Sequence, residues 1–240
     1  MPKQRSNLYT FTFALIVCVI CSFFLALVSE GLRHRKEVNK EMDVKKNILK
    51  VVGLKEPLPE GADTATIKKI YETYIKEVVI DKEGRIVEGK MPQVIAEGEQ
   101  LYPLYIYEEK ALPVAYAFPI VGKGLWSTLY GYFALEPDAI TVRGITFYQH
   151  GETPGLGAEI EQQWFTNNFK GKKIWDLKNA ALEPVIVVKG NVEDKIQENE
   201  RDHYVDGISG ATMTSKGVTE MVDRELRKYE PFFAKIRGKN

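Results

Sequence analysis

From Leu8 to Val28 the chain carries no charged residue, and Leu, Ile, Val, Phe, Ala and Cys dominate. About 20 residues at roughly 1.5 Å each cross a hydrocarbon core of about 30 Å, so this run predicts a transmembrane helix. A cleaved signal sequence has a shorter apolar region that ends at a small-x-small site. Ala26-Leu27-Val28-Ser29 is a poor cleavage site, and Val19-Ile20-Cys21 is a weak lipoprotein box. The helix is therefore read as a retained anchor. Lys3 and Arg5 precede it, while Arg33, Arg35, Lys36 and Lys40 follow closely. That count alone would keep the following domain in the cytoplasm, but large domains translocate largely regardless of it.

A chain of 240 residues holds one anchored domain or at most two small ones. Lys+Arg and Asp+Glu both total 33, so no basic excess points to nucleic acid. The two cysteines, Cys18 and Cys21, both lie in the apolar run. The rest of the chain thus excludes a disulfide framework, a thiolate zinc site and a Cys-ligated iron–sulfur cluster. In lipid the Cys-x-x-Cys spacing reads as two inert apolar residues, since thiol chemistry needs a thiolate.

Val38, Met42, Leu49 and Val52 repeat at helical spacing and stop at Gly53, a C-cap signal. Residues 57–61 form a break. A second helix follows, with Asp63 or Thr64 as N-cap and Ile67, Ile70, Tyr71, Tyr74 and Val78 on one face. Strands then take over: residues 78–80 and 86–87 flank the turn Asp81-Lys82-Glu83-Gly84, a hairpin signal. Residues 104–107, 114–120, 125–135 and 140–148 are further β-rich runs. Residues 158–169 read as a helix, 185–188 as a strand, 191–201 as a charged surface loop, and 215–229 as the last helix. Strands in a central block with helices on either side predict an α+β domain with a mostly antiparallel sheet.

The stretch Asp206-Gly207-Ile208-Ser209-Gly210-Ala211-Thr212-Met213-Thr214-Ser215 runs straight into the last helix. Its glycines permit a tight backbone, and four hydroxyls gather where free N–H groups and the helix dipole favour a phosphate. It lacks the Walker spacing. On local physics alone, an ordinary helix capped by one of those hydroxyls is the simpler account. A second stretch, His150-Gly151-Glu152-Thr153-Pro154-Gly155-Leu156-Gly157, makes a rigid turn whose backbone can approach a flat ligand. Thr153 can donate to such a ligand and Glu152 can orient the loop. His150 has no partner at metal-ligand spacing in His34 or His203. A third stretch, Gly122 to Tyr132, places Leu125 and Trp126 beside glycines, where they would cover a ring or simply join the core. Nothing reads as a dinucleotide fingerprint.

Asp206, Ser209, Gly210, Ala211 and Thr212 resemble the flavinylation motif of covalent FMN-binding domains: Asp, two variable positions, Ser or Thr, Gly, Ala, and the acceptor. The 150–157 stretch looks like the His-x-Glu-Thr-Pro-Gly-Leu-Gly signature of the same domains in respiratory complexes. Gly-x-Gly-Leu-Trp-Ser at residues 122–127 resembles a block of the flavin-carrying C subunits of sodium-translocating NADH:quinone reductases.

The resemblance implies FMN joined through its phosphate to Thr212 by a flavin transferase that takes FMN from FAD. Around it, Leu125, Trp126, Ser127, Glu152, Thr153, Gly155, Leu156, Gly157, Ser209, Gly210, Ala211, Thr214 and Ser215 would hold the cofactor, and Asp206 would complete the motif. It implies an electron-relay subunit of a sodium-pumping complex, with NADH oxidised on another subunit. It also divides the chain into a tail (1–7), an anchor in inner-membrane lipid (8–28), a helical connector (29–62) and an FMN-binding domain (63–240). The family places that domain on the periplasmic side, against the charge count. Three other readings stay open: the equivalent subunit of a ferredoxin:NAD oxidoreductase, a stand-alone anchored FMN electron-transfer protein, and a non-redox anchored binding module.

Overall fold

The structure is a computed structural model that describes residues 7–54, 61–96 and 98–238. It falls into two compact units, Met1–Val44 and Lys45–Asn240. Helix α1, Asn7–Val52, starts in the first unit and ends in the second. Its Asn7–Arg33 stretch is long and apolar enough to cross a membrane, and its side chains there are exposed. Gly53 ends the helix with φ 56°, the left-handed C-terminal signal expected from the sequence. Most of the 57–61 break lies outside the described residues.

In the second unit, the end of α1 buries Ile48, Leu49, Val51 and Val52. Arg143 fastens it, donating to the Val52 carbonyl and, at 3.0 Å, to that of Gly53, while pairing with Glu136 at 2.8 Å. Helix α2, Thr64–Tyr74, is capped by Asp63, whose carboxylate accepts from the Thr66 amide at 2.9 Å. It stops at Tyr74, so Val78 belongs to the next strand rather than to the helix face assigned from spacing.

Five antiparallel strands follow in simple meander order: β1 Ile75–Asp81, β2 Leu101–Glu109, β3 Leu112–Lys123, β4 Thr128–Leu135 and β5 Val142–Gln149. The expected hairpin after β1 reduces to a turn and a single bridge between Ile80 and Ile86. Asp81 shapes that turn by accepting from the amides of Glu83 and Arg85.

Residues 158–169 do not form the continuous helix expected from their composition. They make a 3-10 turn, Gly157–Glu161, then the single-turn helix α3, Gln163–Asn167, with Gln162 extended between them. Ile160 and Phe165 are both fully buried. A spacing of five is off the helical period, and the break at Gln162 turns both side chains into the core. Short strands β6 (Trp175–Asp176) and β7 (Ala181–Leu182) pair antiparallel. Strands β8 (Ile186–Val187) and β9 (Tyr204–Val205) pair in parallel. The 191–201 loop has Val192 buried and ends in a 3-10 helix, Glu198–His203, so it is more built than a surface loop.

Helix α4, Thr212–Arg237, lies across the sheet. Tyr116, Phe118 and Ile120 of β3 alternate toward it and join Val218, Met221, Val222, Leu226, Tyr229 and Phe233 in the core. Tyr229 stacks on Phe118 at 4.3 Å between ring centroids, and its hydroxyl donates to the Pro103 carbonyl at 2.9 Å. From spacing the helix is expected to stop near Tyr229. It runs on through Pro231 because Phe232 and Phe233 are buried beyond it. Each ring returns about 2–3 kcal/mol of burial against about 3 kcal/mol for an internal proline.

Candidate functional site

Strands β3 and β4 are joined by Gly124-Leu125-Trp126-Ser127, of which residues 125–127 were expected to be strand. It is a tight turn instead, closed by the Gly124 amide donating to the Ser127 carbonyl at 2.8 Å. Its three following amides all converge on one carboxylate, that of Glu152: Leu125 at 3.1 Å, Trp126 at 2.9 Å and Ser127 at 3.1 Å. Successive amides of a strand point to opposite sides, so this convergence rules out extended backbone here.

Glu152 is 5% exposed and comes from the turn after β5. Burial pushes its carboxyl up, but the Thr214 hydroxyl and the three amides outweigh that and hold it below the usual carboxylate range. Thr214, in the first turn of α4, donates to Glu152 Oε2 at 2.6 Å. One carboxylate thus joins the three stretches that the sequence singled out. Two further contacts brace them. The Gly151 amide donates to Ser127 Oγ at 2.5 Å, and the Glu152 amide donates to His150 Nδ1 at 3.3 Å.

The start of α4 is set by close packing. Gly217 faces the end of β3, where a Cβ would fall 2.0 Å from the Lys123 carbonyl oxygen. Gly210 has φ 76° and lies under Leu156, whose Cδ2 would meet an added Cβ at 2.8 Å. Thr219 Oγ1 accepts from the Val187 amide at 3.0 Å and ties α4 to β8. Asp206 accepts from the Val192 amide at 2.7 Å, tying the 191–192 loop to the stretch that leads into α4. Nothing in the sequence reveals that partner.

The hydroxyls are not equivalent. Thr214 is 1% exposed and given to Glu152. Ser215 is 3% exposed, with Oγ facing the Ile208 amide at 3.5 Å. Ser209 and Thr212 are exposed. The N-cap of α4 is Ala211, with no side-chain cap bond, so the hydroxyl-capped helix allowed by the sequence is not what forms. The first amides of a 26-residue helix are left without a side-chain cap beside the exposed Thr212 hydroxyl. Thr212 also edges a pocket of about 210 Å³ bounded by Ile186–Lys189, Ser215, Lys216 and Thr219.

Large apolar side chains on the joined segments also stand in the open. Trp126 is 72% exposed, and Leu125, Leu156 and Met213 are exposed with it. Thr153 and Gly155 lie on the same exposed turn as Leu156, while Gly157 packs against Thr214 and Glu152. Such a set fits FMN: apolar surfaces for a flat ring, and a hydroxyl at an uncapped helix start for its phosphate.

Fold and site together define a flavin-binding domain behind a helix able to span a membrane. The family model for the FMN-binding domain matches residues 124–227. The C subunit of the Na(+)-translocating NADH-quinone reductase from Pseudomonas aeruginosa is 32% identical, over 99% of this chain and 98% of its own. Its counterpart from Vibrio anguillarum is also 32% identical over the same shares. The crystal structure of the C subunit from Parabacteroides distasonis superposes with a TM-score of 0.71 at 34% identity, covering 84% of this chain and 96% of that one. The chain belongs to the family formed by the C subunits of the Na(+)-translocating NADH-quinone reductases.

Proposed function

We propose that the chain is the FMN-carrying electron-relay subunit of a sodium-pumping NADH:quinone reductase, with FMN joined through its phosphate to Thr212. The observation that carries the attachment is the sorting of the hydroxyls. Thr214 and Ser215 face inward, while Thr212 stands exposed on the first turn of an uncapped helix. Its whole-length relatives supply the role within the complex. Bound FMN supplies one- and two-electron redox chemistry.

The chain's own residues hold and shield it. The helix start opposes the phosphate charge, and Leu125, Trp126, Leu156 and Met213 offer apolar cover. Attachment through the phosphate leaves the ring electronically free, so the tether serves retention and positioning. In this reading residues 8–28 anchor the chain in inner-membrane lipid and residues 63–240 carry the flavin. Maturation by a flavin transferase, and electron exchange with the other subunits, then take place on the periplasmic side.

The test is co-expression of the full chain with an active flavin transferase, followed by a denaturing gel under ultraviolet light. A fluorescent band in the wild type and none in Thr212→Ala supports the reading. A dark wild type, or a bright Thr212→Ala, overturns it.

A further inference from the structure

A carboxylate offers about four lone-pair directions, two on each oxygen. In Glu152 all four are taken by the protein. Oε1 accepts from the amides of Trp126 and Ser127, and Oε2 accepts from the Leu125 amide and the Thr214 hydroxyl. The group is 5% exposed, and its carboxyl is held ionised, so it has no proton to donate. It therefore has neither acceptor capacity nor a donor left for a ligand.

We propose that Glu152 is a positioning residue that acts on the flavin site without touching the flavin. The inference rests on the flavin reading of the site. Glu152 fixes the turn that carries the exposed Leu125 and Trp126, and through Thr214 it fixes the first turn of α4, two residues after Thr212. Geometry makes this specific. An added Cβ at Gly124 would lie 2.5 Å from Glu152 Oε1, and one at Gly157 would lie 2.8 Å from Oε2. Three segments distant in sequence are thus held around a single charge. Glutamine in its place turns one acceptor into an NH₂ facing N–H donors, so the lock opens although the size is unchanged. Valine at 214 removes only the α4 connection. Serine at 214 keeps it.

Hydrogen exchange of the full chain in detergent, before flavin loading, reads the lock directly. Glu152→Gln is expected to speed exchange at Leu125, Trp126 and Ser127 at least tenfold relative to amides of β2. Thr214→Val is expected to speed exchange in the first turn of α4, and Thr214→Ser to restore the wild-type rate. In the flavin-loaded chain, iodide quenching of the flavin is expected to rise in Glu152→Gln and in Thr214→Val, with the double variant no worse than Glu152→Gln. Quenching in Thr214→Ser should match the wild type.

A direct ligand role predicts otherwise: Thr214→Val would leave the flavin unchanged, and Glu152→Gln would leave the turn amides protected. Either result overturns the proposal. If Glu152→Gln does not fold, the Thr214→Val and Thr214→Ser pair decides alone. A wild type that takes up no flavin refutes the functional reading, while the exchange rates still decide the lock.

Discussion

Gly217→Ala separates a packed helix from an exposed one by the sign of its effect. At an ordinary helix position the change gains about 1 kcal/mol, because alanine loses less chain entropy and favours the helix. In α4 the added Cβ would sit 2.0 Å from the Lys123 carbonyl oxygen, 3.1 Å from its carbon and 3.4 Å from Gly124 Cα. All three are backbone atoms, so no side chain can swing aside. Either α4 or the end of β3 must move by more than about 1 Å, an overpacking cost of about 3 kcal/mol at the upper end of its usual range. The net loss is about 2 kcal/mol, or about 4–8 °C in melting temperature for a domain of this size. The same displacement pulls Thr214 from Glu152 and disturbs the Thr212 turn, so covalent flavin incorporation falls with stability. Thermal unfolding followed by circular dichroism, with gel fluorescence in parallel, measures both. A Gly217→Ala chain as stable as the wild type, or about 1 kcal/mol more stable, would refute the packing argument.

Tyr229→Phe keeps the stack on Phe118 but leaves the Pro103 carbonyl without its donor. It should cost about 1–2 kcal/mol in chemical denaturation while leaving flavin incorporation at the wild-type level. Acid should weaken the wild type through Glu152. Its carboxyl sits below the ordinary value of 4.5 in the fold, so its contribution is complete above about pH 4.5 and fades as pH falls through the depressed folded value. Glu152→Gln should therefore be less stable at neutral pH and flatter below about pH 4.5. Denaturation curves between about pH 3 and pH 7 should converge at the acid end.

Periodic signals were legible in the chain, and three-body polar contacts were not. Gly53 and Asp63 mark their helix ends because a left-handed φ and an amide-accepting carboxylate are local needs. The β-rich run at 114–120 foretold β3, Leu112–Lys123. Residues 125–127 looked like strand because their true organiser, Glu152, lies 25 to 27 residues away. Residues 158–169 looked like helix because composition does not show that Ile160 and Phe165 must both reach the core. The last helix was expected to stop near Tyr229 because the burial of Phe232 and Phe233 beyond it is tertiary. In the site, resemblance to the flavinylation motif singled out Thr212 but local physics did not; the burial of Thr214 and Ser215 leaves only Ser209 and Thr212 exposed among the four hydroxyls.

Peptide mapping by mass spectrometry of the chain matured with its transferase addresses the attachment most directly. The account predicts one adduct, the mass of FMN less one water, on the peptide spanning 206–216 and fragmenting to Thr212. An adduct on Ser209, Thr214 or Ser215, or an unmodified peptide from a chain exposed to active transferase, would contradict it.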